Sequence, residues 1–429
     1  MNYQSPYDNF IFEGYSFDEG SLTATFNYSF DGKLTFQEQV IFSTSETNFN
    51  REVLDAALQL AFYLTGTSYY KTFPTKTVLF NAAAPNRHQD EFLNEVYTQG
   101  LSQFIFENNL NLDQIVKFKV SSEQKQAVDY IGEGLLALQS GGKDSLLMAA
   151  LLNEKQSKFQ AVYVSSTDGY PSILEDIGGP VHTIKRVLGR EDLAKASEQG
   201  ALDGHVPVTY IISAYSLIDA ILHNENQVIL SIGTEGEEPH EYVGDMPVNH
   251  QWSKTWQAEQ LLTDYVHSHI SPDLNIGSPL RGYSELKIAE LFVKKCWHDY
   301  GHRFSSCNLA NYKQGKNNDH LTWCGECPKC ANSYLLFAPF LEPQELQRIF
   351  GGQDLFKKPL LTETFKGLLG IDGVMKPFEC VGETAELRLA YHMARANSSE
   401  YELPFTVPES DFDYQKQRDS QAWAYALIA

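Results

Sequence analysis

The sequence predicts an α/β fold: a doubly wound parallel sheet carrying a glycine-rich loop, preceded by an α+β region and followed by a cysteine-rich one. Three observations predict it. The apolar run Gly134-Leu-Leu-Ala-Leu138 leads into Ser140-Gly-Gly-Lys-Asp-Ser145 and then into the helical pattern Leu146 to Leu152. From Gly134 to about Ala338 strand-like and helix-like stretches alternate, as they do when crossover helices join parallel strands. Cys307 is followed, after sixteen residues, by Cys324-Gly-Glu-Cys327-Pro-Lys-Cys330, four thiols at the spacing of a tetrahedral zinc site.

Residues 8 to 44 alternate apolar and polar positions, as in Leu22-Thr-Ala-Thr-Phe-Asn-Tyr28, turn at Asp31-Gly32 and return through Leu34 to Phe42, which predicts a hairpin or meander. A helix is expected from Arg51 through Tyr63, with Leu54, Leu58, Ala61 and Phe62 on one stripe. A strand at Thr77 to Phe80 and a helix at Glu91 to Phe106 complete an N-terminal α+β domain, residues 1–130. The nucleotide domain, 131–305, is expected to hold buried strands at Phe159 to Ser165, Thr209 to Ile212 and Gln227 to Ile232. Its helices are expected near Leu217 to His223, Ser253 to His269 with Ser253 as N-cap, and Ser284 to Trp297. Residues 306–395 form the four-cysteine region with a helical part, and 396–429 a polar, aromatic-dotted tail.

Strand, small-residue turn and helix in that order aim backbone N–H groups at an anion, where the helix dipole favours negative charge. Gly141 and Gly142 allow close backbone approach, which a Cβ would block. Ser140, Gly141, Gly142 and Ser145 are therefore expected to bind phosphate, Lys143 to balance its charge and Asp144 to help hold magnesium. Lys143 is followed by Asp144 rather than a hydroxyl residue, so this is not the common G-x-x-x-x-G-K-[ST] loop. Ligands in doubly wound sheets sit beyond the carboxyl ends of the strands, so the Ser140 loop, the Ser165 to Asp168 turn and the Gly233 to Glu235 turn are expected to converge.

Composition narrows the function. With 42% hydrophobic residues in 429 there is ample material for a core of two or three domains. A net charge of −22 argues against a nucleic-acid partner. No basic segment leads into an apolar one at the amino end and no apolar run reaches membrane length, so a cytoplasmic protein is expected.

Cys307, Cys324, Cys327 and Cys330 read as a closed structural zinc site with no open position for catalysis. Cys296 and Cys380 stand outside it and fit buried small apolar positions. His205-Val-Pro-Val, Val248-Asn-His250-Gln-Trp-Ser-Lys254 and Arg281 are further polar candidates, Arg281 because a guanidinium can clamp a carboxylate or phosphate.

The Ser140 to Ser145 loop resembles the signature of PP-loop ATP pyrophosphatases, which cleave ATP to AMP and pyrophosphate. Joined to His205-Val-Pro-Val, Val248-Asn-His-Gln, Ser306-Cys-Asn308, Trp323 to Cys330 and Lys376-Pro-Phe-Glu379-Cys380-Val-Gly-Glu383, it is similar to the UDP-N-acetylmuramoyl-L-alanyl-L-glutamate epimerase family over roughly residues 8 to 395. That resemblance implies ATP- and magnesium-dependent inversion of the terminal L-glutamate of a UDP-muramoyl dipeptide, with release of AMP and diphosphate. The acidic stretch Gly233 to Glu241 is more charged than the resemblance leads one to expect.

The chemistry is consistent with activation before inversion. A free carboxylate makes its neighbouring Cα–H very weakly acidic, because deprotonation stacks charge on charge; an acyl-adenylate removes that obstacle. Inversion then needs a base on one face and a proton donor on the other, for which His250, Lys254, Glu379 and Cys380 are candidates. Two other readings use the same loop and cysteines: a nitrogen-inserting synthase resembling 7-cyano-7-deazaguanine synthase, a much shorter family, and a non-catalytic nucleotide sensor.

Overall fold

The computed structural model describes residues 3–46, 48–119, 127–313 and 320–429. Alternation near the amino end produces β1 (Asn9–Asp18), β2 (Thr23–Phe30) and β3 (Leu34–Phe42), an antiparallel meander that buries Phe10, Phe12, Phe26, Tyr28, Phe36 and Val40. Helix α1 (Arg51–Tyr70) packs on the meander, its start capped by the Asn50 side chain, which accepts from the N–H groups of Glu52 and Val53. It continues a full seven residues past the expected stop at Tyr63. The stretch Thr65-Gly-Thr-Ser68 reads as a breaker, but it is buried, and a Cβ at Gly66 would stand 2.8 Å from both Phe12 and Tyr97. Tertiary packing overrides local propensity here.

Strand β4 (Thr77–Phe80) adds in parallel to β1. The single helix expected over Glu91 to Phe106 is two, α2 (Arg87–Thr98) and α3 (Ser102–Glu107), separated by a 3-10 turn at Gln99–Leu101. The parallel half follows as β5 (Leu135–Gln139), α4 (Lys143–Glu154), β6 (Gln160–Ser165), β7 (Val181–Val187), α5 (Arg190–Glu198), α6 (Val208–Leu222) and β8 (Gln227–Ile229). A small hairpin, β9 (Glu241–Val243) with β10 (Met246–Val248), then precedes α7 (Trp256–His269), β11 (Asn275–Gly277) and α8 (Glu285–Lys295). The remaining helices are α9 (Trp297–Tyr300), α10 (Pro328–Phe337), α11 (Pro343–Ile349), α12 (Thr362–Leu368), α13 (Thr384–Asn397) and α14 (Ala422–Ala426).

Two expectations need correction. Thr209 to Ile212 is not a strand but the first turn of α6. That helix is buried on nearly every side, and a helix apolar all round loses the 3.6-residue signal that separates it from a buried strand. Ser253 does not cap α7; it lies in a 3-10 turn, Trp252–Lys254, and Thr255 caps the helix by accepting from the Ala258 N–H at 3.2 Å.

Among the described residues nine strands form one mixed sheet in the order β11-β8-β5-β6-β7-β3-β2-β1-β4, with β11 through β7 mutually parallel. Strand order reverses between β5 and β8, a topological switch point. The loop after β5 and the turn after β8 therefore leave the sheet side by side, at its carboxyl end. The meander joins the parallel half through antiparallel pairing of β3 with β7, Gln39 to Phe42 against Ile184 to Val187.

A buried ion pair marks that seam. Glu38 on β3 accepts from Arg186 on β7 at 2.6 and 3.1 Å, from Tyr69 at 2.8 Å and from Tyr215 at 2.7 Å. Glu38→Ala would leave a buried guanidinium and two tyrosine hydroxyls without their acceptor. We expect it to destabilise the fold by about 3–5 kcal/mol in equilibrium denaturant unfolding. A loss below about 1 kcal/mol would show that the seam is held by strand pairing alone.

Candidate active site

The first half of the site is the loop leaving β5. Gly141 has φ +76°, a left-handed conformation, and a Cβ there would come within 2.5 Å of Leu321 Cδ1. At Gly142, the N-cap of α4, a Cβ would come 2.9 Å from Ser306 Oγ. The turn is closed internally, the Ser140 N–H donating to Ser145 Oγ at 3.2 Å. Lys143 donates to Asp144 at 2.6 Å and to Glu285, at the start of α8, at 2.5 Å. Burial opposes the charge on Lys143, but Asp144, Glu285 and Glu235 outweigh it and hold the ammonium well above its ordinary pKa.

The second half is a narrow cleft beyond β8, lined by Glu235, Glu238, His240, His250, Lys254, Lys376, Glu379 and Cys380, among others. Four of these are the residues read from the sequence as proton-transfer candidates. They come from two distant segments, 250–254 and 379–380, that the fold brings to one cleft. The Lys254 ammonium lies 2.5 Å from Glu235 and 3.6 Å from Cys380 Sγ. Burial pushes the Cys380 thiol up although Lys254 and Lys329 pull it down, so the thiol keeps its proton at neutral pH. Burial likewise works to raise Glu235, but Lys254, Lys329 and Lys143 together bring it down to about 2, a fixed anion between the two halves of the site.

His250 has a defined tautomer. Its Nδ1 lies 2.7 Å from Gln103 Oε1, and the Gln103 amide is oriented by donating from Nε2 to Glu107 at 2.8 Å. An amide oxygen accepts only, so Nδ1 carries the proton and Nε2 keeps its lone pair. Burial first, then His205 and His240, drive the pKa of His250 far below the imidazole range and keep it neutral. Glu379 accepts from Asn308 Nδ2 at 3.0 Å. Arg281 is 1% exposed and committed to protein partners: it pairs with Glu259 at 2.9 Å and donates to the carbonyls of Gly233 at 2.7 Å and Lys254 at 2.8 Å. It holds the two loops that carry Glu235 and Lys254.

The four cysteines also converge. Sγ–Sγ separations are 3.6 Å for Cys307–Cys327 and Cys327–Cys330 and 3.7 Å for Cys324–Cys330, and all four sulfurs lie within 4.8 Å of one another. Thiolates about 2.3 Å from one zinc stand about 3.8 Å apart at the corners of a tetrahedron, so the donor set fits that ion. Backbone N–H groups of Ala310, Gly325 and Glu326 donate to three of the sulfurs, as thiolates require. Cys296 is buried apart from the cluster.

Sequence reasoning missed Glu285, Lys329 and Gln103. Glu285 reads as the first-turn acid of α8, Lys329 as filler between two cysteines, and Gln103 as an N-terminal helix residue. The acidic stretch 233–241 did carry a signal, since Glu235, Glu238 and His240 line the cleft. Of the three turns expected to converge, only the Gly233 to Glu235 turn lines this cleft; the Ser140 loop adjoins it through Glu235, and Asp168 of the Ser165 turn pairs with Lys185 at 2.7 Å.

Comparison with known proteins identifies the family. Residues 1–278 match the MurL N-terminal domain and residues 303–422 the MurL C-terminal domain. A protein of Xanthomonas oryzae pv. oryzae named UDP-N-acetyl-alpha-D-muramoyl-L-alanyl-L-glutamate epimerase is 34% identical over 86% of this chain and 81% of its own length. A protein of Salinispora tropica with the same name is 31% identical over 92% of this chain and 87% of its own. The chain belongs to the family that these proteins represent.

Next to the loop partner Glu285, the buried Glu386 of α13 accepts from the Leu286 N–H at 2.7 Å. Burial pushes its pKa from 4.5 up to about 7. A raised acid contributes stability that is full below about pH 4.5 and is lost as pH climbs through 7, here by about 3 kcal/mol. Denaturant melts of the wild type should therefore weaken from pH 4.5 to 8, and Glu386→Gln should lose that part of the slope. Identical pH profiles for the two proteins would mean that Glu386 is ionised in the fold.

Proposed function

We propose that this member of the epimerase family inverts the terminal L-glutamate of UDP-N-acetylmuramoyl-L-alanyl-L-glutamate to D-glutamate, in an ATP-dependent reaction of peptidoglycan precursor synthesis. The observation that carries the reading is the shared anion Glu235, which feels Lys143 of the loop on one side and Lys254 of the cleft on the other. A glycine loop suited to phosphate and a cleft suited to proton transfer thus share one anion. Among the described residues no helix is long and apolar enough to cross a membrane.

In this reading the glutamate carboxylate attacks the α-phosphorus of ATP and diphosphate leaves, giving an acyl-adenylate. Ser140, Gly141, Gly142 and Ser145 cradle the phosphates, with Lys143 as counter-charge; the carboxylate of Asp144 would hold magnesium, which shields charge on the phosphates when bound. With the carboxylate masked, His250 Nε2 removes the Cα proton and the Cys380 thiol returns one on the opposite face, the ammonium of Lys254 stabilising the thiolate left behind. Glu379, oriented by Asn308, accepts the proton that His250 has gained. Water then cleaves the anhydride, releasing AMP and making the inversion effectively irreversible.

The test follows the label. Incubation in deuterium oxide should place deuterium at the glutamate α-carbon only when ATP is present. His250→Gln and Cys380→Ala should each reduce inversion at least about 100-fold while diphosphate release persists, because activation precedes proton transfer. Exchange without ATP would overturn the acyl-adenylate, and full inversion in both variants would overturn the choice of proton carriers.

Zinc, bound by Cys307, Cys324, Cys327 and Cys330, serves in this reading as a structural staple. Cys327→Ala should lower zinc content and melting temperature together, since binding free energy at such a site is also folding free energy. Unchanged melting with zinc lost would separate the metal from the fold.

A further inference from the structure

A second cluster of metal-ligating side chains lies at the opposite end of the parallel strands from the cleft. His182 stands at the start of β7, and Asp219 and His223 lie one turn apart at the end of α6, on the same helix face. One donor atom from each of the three lies within 4.8 Å of the others. Nδ1 of His182 is 3.2 Å and Nδ1 of His223 3.8 Å from Asp219 Oδ2. Nitrogen and oxygen ligands about 2.0–2.1 Å from a tetrahedral ion stand about 3.3 Å apart, so His182 Nδ1 and Asp219 Oδ2 have the spacing of a ligand edge, while Nδ1 of His223 is taken by the Asp219 carbonyl and its free donor is Nε2. The two imidazole rings lie against one another, their centroids 4.0 Å apart at 32°.

The hydrogen bonding of this cluster is incomplete. Asp219 is fully buried, yet its Oδ1 has no partner among the described residues. Nε2 of His223 and Oε2 of Glu225, also buried, are in the same condition. The Asp219 carbonyl only accepts, so Nδ1 of His223, 2.8 Å from it, carries the proton and Nε2 is left as a buried bare lone pair. Two buried carboxylates and the His223 imidazole, each with an unmet lone pair, are short of a cation, and imidazole donors select a borderline-soft one over magnesium or calcium.

We propose that His182, Asp219 and His223 bind one divalent transition-metal ion, with Glu225 supplying a further oxygen, at a site separate from the four cysteines. The ion cross-links β7, the end of α6 and the turn after it. That turn is already tied to the meander side by Asn224, which donates to the Asn48 carbonyl at 2.9 Å, and to the residues before β5 by the Tyr130 hydroxyl on the Glu225 carbonyl at 3.0 Å. The site thus reinforces the seam between the two halves of the sheet from the side away from the cleft.

The full chain, stripped with chelator and reloaded with zinc, should carry one equivalent more in the wild type than in His182→Gln or Asp219→Asn, as counted by elemental analysis, with all three proteins matching in circular dichroism. Cobalt gives a second reading on the wild type alone: one equivalent should enter with no added thiolate-to-cobalt charge-transfer absorption. Equal zinc content in wild type and both variants would overturn the proposal, as would cobalt uptake that ends when the thiolate band saturates.

Discussion

The pairing of Arg281 with Glu259 is the interaction on which the site depends. Two full charges sit where water cannot reach them, so each must be satisfied by protein, and the partners they recruit are the loops of the site. Arg281 fixes the carbonyls of Gly233 and Lys254. Glu259 in turn accepts from the Ser278 N–H at 3.3 Å and from the Gln421 side chain at 2.9 Å. One ion pair thereby sets the relative positions of the turn after β8, the loop before α7, the turn after β11 and the carboxyl-terminal tail.

Charge is organised in the site as it is not over the chain as a whole. The net charge of −22 describes an acidic surface, whereas the interior of the site alternates: Lys143 between Asp144 and Glu285, Glu235 between the loop and cleft lysines, Lys254 between Glu235 and Cys380. In a low-dielectric interior such alternation keeps the lysines cationic without leaving any charge alone, while burial keeps the thiol protonated against their pull. It also means that an anionic ligand entering on the loop side changes the field felt by Cys380 and His250 across Glu235.

The cysteine region has a positional consequence as well as a structural one. Ser306 and Asn308 flank Cys307, and Leu321 lies just ahead of Cys324; Ser306 and Leu321 pack against Gly142 and Gly141, and Asn308 orients Glu379. Lys329, between two of the cysteines, contributes to the field at Glu235 and Cys380. Holding four sulfurs together therefore holds both the Ser140 loop and the Glu379 side of the cleft in register.

Local pattern in the sequence determined the elements whose cause is local. The meander follows from period-two alternation, the loop after β5 from Gly141 and Gly142 between an apolar run and a helix, and the four-sulfur cluster from ligand spacing; the proton-transfer candidates were legible only as residue types in motifs. What the sequence could not decide depends on contacts between distant segments. The run at Thr209 is a helix because it is buried on all sides, where periodicity carries no information. Arg281 reads as a surface clamp until Glu259, twenty-two residues away, is seen to neutralise it. The tautomer of His250 depends on Gln103, and the charge of Lys143 on Glu285. Only tertiary structure decides these, because a buried charge or lone pair takes its state from whatever the fold places within a few ångströms of it, and chain order does not encode that distance.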